Sequence, residues 1–88
     1  MVRIELFTSA FCDPCHRARE VVAEAQRLVP ELVVEELDVA AYEERANSHG
    51  VRSTPTMVVR RDDDSVLVTA EGVPTLTRLL TALAEAKA

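Results

Sequence analysis

Tryptophan is absent from this chain, and only Phe7, Phe11 and Tyr42 are aromatic. Any core must therefore be assembled from Val, Leu and Ala, in a chain of 88 residues that has room for one. Basic residues are also outnumbered: ten Lys and Arg stand against fifteen Asp and Glu, a net charge of −5. That balance argues against nucleic acid as a partner, because phosphates call for a basic face. No apolar run approaches the roughly 18 residues of a membrane span, so no membrane partner is expected. Glycine occurs twice, and there is no linker, repeat or low-complexity tract, so the expectation is one domain over residues 1–88. Met1 runs directly into strand-like sequence, without the basic and apolar regions of an export signal, and the expected location is the cytoplasm.

Cysteine is scarce too, and what there is lies together. Both cysteines fall within FCDPCH, residues 11–16, and this stretch supports several readings. As a permanent staple it does little, because a bridge between Cys12 and Cys15 closes too short a loop to restrain the unfolded chain. As zinc ligands, Cys12 and Cys15 with His16 or His49 form an uneven set where a closed structural site needs four. As a haem clamp, C-x-x-C-H is a literal match, with Met57 as a distal ligand. However, haem attachment is normally completed outside the cytosol, and small c-type cytochromes are mostly helical. As a redox pair the cysteines would cycle between dithiol and disulfide, which suits a reducing compartment. A redox-gated binding module that docks partners without turnover is the alternative to an enzyme.

The order of elements helps to choose. VRIELF (2–7) alternates Val2, Ile4 and Leu6 against Arg3 and Glu5, a strand pattern. From 14 to 29, Ala18, Val21, Val22, Ala25, Leu28 and Val29 form the stripe of an amphipathic helix that Pro30 ends. LVVEELDV (32–39) is a second strand, and a short polar helix is predicted over 41–48, closed by His49-Gly50. Residues 56–61 and 65–70 read as a hairpin with Asp62, Asp63 and Asp64 as a solvated turn. Leu76, Leu79, Leu80 and Leu83 mark a last helix entered through 72–75. The predicted fold is α/β, βαβαββα, a mixed four-stranded sheet flanked by helices with its first crossover right-handed. Met57 is expected in the core, Tyr42 in packing, His49 at a helix end, and Glu43 and Glu44 on an exposed helix face.

On this layout the cysteines sit where a strand turns into a helix. Disulfide exchange proceeds through the thiolate, and a helix N-terminus favours negative sulfur with unpaired N–H groups and its dipole. Cys12 is expected at the cap, exposed and attacking. Pro14 occupies an early helical position where its missing N–H costs nothing, and Cys15, one turn on, is the shielded, resolving partner. The Asp13 carboxylate opposes a thiolate at Cys12, while His16 and Arg17 oppose Asp13.

Phe11 followed by a C-x-P-C at the end of the first strand resembles the thioredoxin superfamily. So does Ser53-Thr54-Pro55-Thr56 at the start of the third strand. The resemblance covers essentially the whole chain and implies the thioredoxin-like fold. It implies a cis Pro55 beside the cysteines, with Thr54 lending its backbone to an extended substrate and Gly72 on a third loop of the same face. Phe11, Pro14, Thr54, Pro55 and Gly72 are the substrate-binding residues it implies, around catalytic Cys12 and Cys15.

The chain departs from full-length thioredoxins in starting at the first strand, which makes it glutaredoxin-sized. Leu6 stands where thioredoxins usually bury an aspartate, and Glu36 where they carry that aspartate's lysine partner. His16 and Glu36 are then the candidates for proton transfer. Glutaredoxins have a basic residue before their motif and a Gly-Gly later, for glutathione. Here Thr8-Ser9-Ala10-Phe11 and Glu71-Gly72-Val73-Pro74 take those places. The best match is the small hybrid type of archaea and some bacteria. It implies a glutathione-independent thiol-disulfide oxidoreductase that reduces protein disulfides. The chain would be a monomer with no metal or other cofactor, recharged by a thioredoxin-reductase-like protein or another thiol reductant.

Overall fold

The computed structural model describes residues 1–88. In chain order it contains β1 (Arg3–Thr8), α1 (Asp13–Leu28), β2 (Val33–Asp38), α2 (Glu43–Ser48), β3 (Thr56–Arg60), β4 (Val66–Glu71) and α3 (Leu76–Lys87). The strands form one sheet in the order β2-β1-β3-β4. β1 and β2 run parallel, with Leu6 opposite Glu36. β3 is antiparallel to both β1 and β4, and its pairing with β4 shifts register between Val59 and Arg60. The βαβαββα prediction is met, with boundaries displaced by a residue or two.

Because successive strand side chains face opposite ways, β1 divides the interior in two. Ile4 and Leu6 join Ala18, Val22 and Ala25 of α1, Met57 and Val59 of β3, and Leu79 and Leu83 of α3 in the larger core. Phe7 turns to the other face, where it meets Leu37, Val58 and Ala46 of the short α2. Met57 is buried in the core as expected.

That second face also holds a buried carboxylate. Glu5, on the Arg3 side of the strand, is only 1% exposed. Its carboxylate accepts from Arg60 Nε at 2.7 Å and pairs with Arg45 of α2. Arg45 also reaches Glu35, the residue opposite Glu5 on β2. His49 caps the end of α2 as expected. Its ring also packs on Phe7 and lies 3.5 Å from Glu5. Tyr42, expected in packing, is instead 45% exposed, with the Arg45 guanidinium over its ring.

Asp62, Asp63 and Asp64 do form an exposed turn. It is pinned by the amino terminus on Asp62, by Ser65 on Asp63 and by Arg3 on Asp64.

Candidate active site

The C-terminal end of β1, an interior strand, leads through Thr8 to Ser9 at one end of the sheet, and the chain then turns sharply. Phe11 takes φ 56°, in the left-handed region, with its ring fully exposed. For a bulky residue this backbone is unfavourable by about 1 kcal/mol, and it leaves an aromatic ring standing free beside the first cysteine. Cys12 then returns to extended backbone as the N-cap of α1, with Pro14 in the first turn.

Cys12 and Cys15 are joined by a disulfide, their Cα atoms 5.2 Å apart. Their surroundings differ. Cys15 has no exposed surface, whereas Cys12 is partly open to solvent. The backbone N–H of Cys15 donates to Cys12 Sγ at 3.1 Å, so the sulfur occupies the place of a capping oxygen at a helix N-terminus. A helix end that donates to this atom favours charge on it.

A second strand end completes the site. The Thr54–Pro55 peptide bond is cis. Thr54 Oγ1 donates to Cys12 Sγ at 3.7 Å, and the Thr54 carbonyl oxygen lies 3.8 Å from the same sulfur. In the disulfide Cys12 carries no proton, so the carbonyl approach is a contact rather than a donation. Pro55 is buried, and its carbonyl oxygen accepts the N–H of Gly72 at 2.8 Å. The structure thus brings Phe11, Cys12, Pro14, Cys15, Thr54, Pro55 and Gly72 to one end of the sheet.

The two proton-transfer candidates are placed differently. Glu36 accepts from Arg19 Nε at 2.8 and 2.9 Å and from the Thr8 hydroxyl at 3.0 Å, and makes no hydrogen bond to either sulfur. His16 is exposed on the first turn of α1. No group of three or more His, Cys, Asp and Glu side chains is arranged to hold a metal ion.

Ser9 is a site residue that sequence reasoning missed. Its hydroxyl lies 2.6 Å from Thr54 Oγ1. A lone serine in a turn carries no periodic or motif signal, and its partner lies 45 positions away.

The sequence profile of the family described as Thioredoxin matches residues 3–85. The chain belongs to the thioredoxin family. The thioredoxin of Methanocaldococcus jannaschii is 35% identical over 83 residues, covering 93% of this chain and 92% of that protein. A probable thioredoxin of Methanothermobacter marburgensis is 35% identical over 60 residues, covering 67% of this chain and 71% of that one. Among solved structures, Fasciola hepatica thioredoxin superposes with a TM-score of 0.84 at 24% identity, over 98% of this chain and 81% of that one. Oxidised mitochondrial thioredoxin 3 of Saccharomyces cerevisiae gives 0.83 at 19% identity, over 96% and 77%. At such identities the superpositions speak for the fold.

Membership in the thioredoxin family, together with the bonded C-x-x-C pair, makes the chain a thiol-disulfide oxidoreductase with protein-disulfide reductase activity. Thioredoxin chemistry runs on the cysteine pair and needs a disulfide substrate and a reductant that restores the dithiol. No helix of the chain is long and apolar enough to cross a membrane.

Proposed function

We propose that the chain acts as a monomeric, single-domain (1–88) reductant of disulfides in cytoplasmic proteins. Cys12 is the attacking sulfur and Cys15 the resolving one. The observation that carries this assignment is the asymmetry of the pair. Cys12 Sγ is partly open and receives the Cys15 N–H and the Thr54 hydroxyl, whereas Cys15 is fully buried.

In the reduced protein the Cys12 thiolate attacks one sulfur of the substrate. A new S–S bond forms, the substrate's own bond breaks, and its second sulfur leaves as a thiolate that takes a proton from solvent. Cys15 then gives up its proton, to water or to His16 or Glu36, and attacks Cys12 Sγ. The mixed disulfide breaks, and the remaining substrate thiolate departs. Two electrons have passed from the Cys12/Cys15 dithiol to the substrate. A thioredoxin-reductase-like flavoprotein or another thiol reductant returns them. The cysteine pair is the only redox group used, and glutathione has no part.

An extended substrate segment lies against Thr54 and Pro55, between the exposed Phe11 ring and the Gly72 loop, with Pro14 on the near side. The strained, solvent-facing Phe11 supports this, since a free aromatic ring held at a cost is suited to a partner's surface.

The test is trapping. Cys15→Ser accumulates mixed disulfides with substrate protein, and Cys12→Ser does not. Equal trapping by both variants would reverse or abolish the assignment.

A further inference from the structure

A chain of two hydroxyl groups ends on the sulfur assigned above as the nucleophile. Ser9 Oγ and Thr54 Oγ1 are 2.6 Å apart, and Thr54 Oγ1 is 3.7 Å from Cys12 Sγ. Ser9 Oγ has no other hydrogen-bond partner in the protein, and neither has Thr54 Oγ1 beyond these two atoms. Both residues are partly buried and come from different loops, one following β1 and one preceding β3.

Each hydroxyl has one proton to donate. In the disulfide the Cys12 sulfur is neutral and a weak acceptor, so the Thr54 donation to it is weak and gives the short Ser9–Thr54 bond little preference of direction. Reduction changes that. A thiolate at Cys12 draws the Thr54 proton toward itself, and Thr54 Oγ1 is then left as the acceptor for Ser9. A hydroxyl that accepts one hydrogen bond donates a stronger one. The order Ser9→Thr54→Cys12 therefore stabilises the thiolate more than it stabilises the disulfide.

We propose that Ser9 is a positioning residue for thiol-disulfide exchange, acting through Thr54 to hold a hydroxyl donor on the Cys12 thiolate. This rests on Cys12 being the attacking sulfur. The relay works with the Cys15 N–H, which approaches the same atom at 3.1 Å from the helix side. Together they make two donors converging on one sulfur, one from backbone and one from side chains. Asp13, His16 and Arg17 are the other charged or titratable residues beside Cys12 in the chain, and none of them is hydrogen-bonded to the relay.

The experiment is the pH profile of alkylation of the reduced protein by iodoacetamide, with the labelled cysteine located by peptide mass. It is run on wild type, Ser9→Ala, Thr54→Val and the double variant, with thermal unfolding of each recorded alongside. Hydrogen bonds to charged groups set the scale: Thr54→Val moves the midpoint of the profile up by about one pH unit, roughly a tenfold loss of reactivity below the midpoint. Ser9→Ala moves it by about half a unit in the same direction, and moves it no further once Thr54 is Val. A role confined to holding the loop would alter unfolding but leave the midpoint in place.

Superimposable profiles for Ser9→Ala and wild type overturn the proposal. So does a Ser9→Ala shift that persists undiminished in the Thr54→Val background, because Ser9 would then not act through Thr54. Labelling at Cys15 instead of Cys12 is a separate outcome: it refutes the attacking-sulfur assignment itself, whatever the midpoints do.

Discussion

The backbone N–H of Gly72 donates to the carbonyl oxygen of Pro55 at 2.8 Å. This bond ties the loop that enters α3 to the cis peptide beside the disulfide. It joins segments that are 17 positions apart in the chain and far from the cysteines in sequence. Gly72 holds φ 85°, and a Cβ placed there would meet nothing within 4 Å.

Space is therefore not what glycine supplies at position 72. Gly72→Ala forces an L-residue into the left-handed region and destabilises the protein by about 1 kcal/mol. Urea denaturation reads this as a lower midpoint with an unchanged slope. The same variant weakens turnover of a protein disulfide, because the Pro55 tether is disturbed. A midpoint equal to wild type would show that the loop tolerates the substitution.

Asp13 serves two opposing interests. As the acidic residue in the first turn of α1 it complements the helix dipole, and it also sets a negative charge next to Cys12, the sulfur proposed above as the nucleophile. Asp13→Asn should cost about 0.5 kcal/mol of stability while speeding alkylation of Cys12 about threefold near neutral pH, as expected when a neighbouring like charge is removed. Loss of stability without the gain in rate would mean that solvent screens the Asp13 charge from Cys12.

Glu5 ties acid stability to a side of the protein remote from the cysteines. Burial pushes its carboxyl up, but the hydrogen bonds and charges of Arg60 and Arg45 outweigh this and hold it below the usual carboxylate range. A carboxyl so depressed adds stability that is fully present above the unfolded value of about 4.3. That contribution is lost as pH falls through the lower, folded value. Glu5→Gln should cost about 2 kcal/mol at neutral pH, below the full figure for a broken buried pair, because Arg45 is 40% exposed. The difference from wild type should shrink in acid. Urea titrations at neutral and acid pH measure both effects, and a constant gap between the two proteins would show that Glu5 is not the titrating group.

Much of the molecule could be read from the chain because the information is local. The α1 stripe, the alternation in β1, the Pro30 stop and the aspartate turn are set within a few residues, since backbone geometry repeats every 3.6 or 2 positions. The strand-to-helix position of Cys12 and Cys15 followed from the same periodicities and favoured redox chemistry, while too few zinc ligands and a strand-rich pattern counted against zinc and haem.

Other features depend on which strands become neighbours. Glu5 is a lone carboxylate in VRIELF, and only when β3 pairs with β1 and α2 covers that face, bringing Arg60 from 55 positions away and Arg45 from 40, does it become buried and paired. Tyr42 looks like a packing residue, yet it stays exposed beneath the guanidinium of Arg45, which pairs with Glu5 and Glu35. Ser9 is an unremarked turn residue until β3 is laid beside β1 and sets Thr54 against it.

The sequence by itself determined the elements, their order and the helix-capping position of Cys12, because each depends on short-range periodicity and turn chemistry. Only the tertiary structure decided which atoms donate to that cysteine. The donors on Cys12, the Pro55–Gly72 tether and the Glu5 network join residues whose contact exists only once the sheet has chosen its strand order, and no local pattern in the chain encodes that choice.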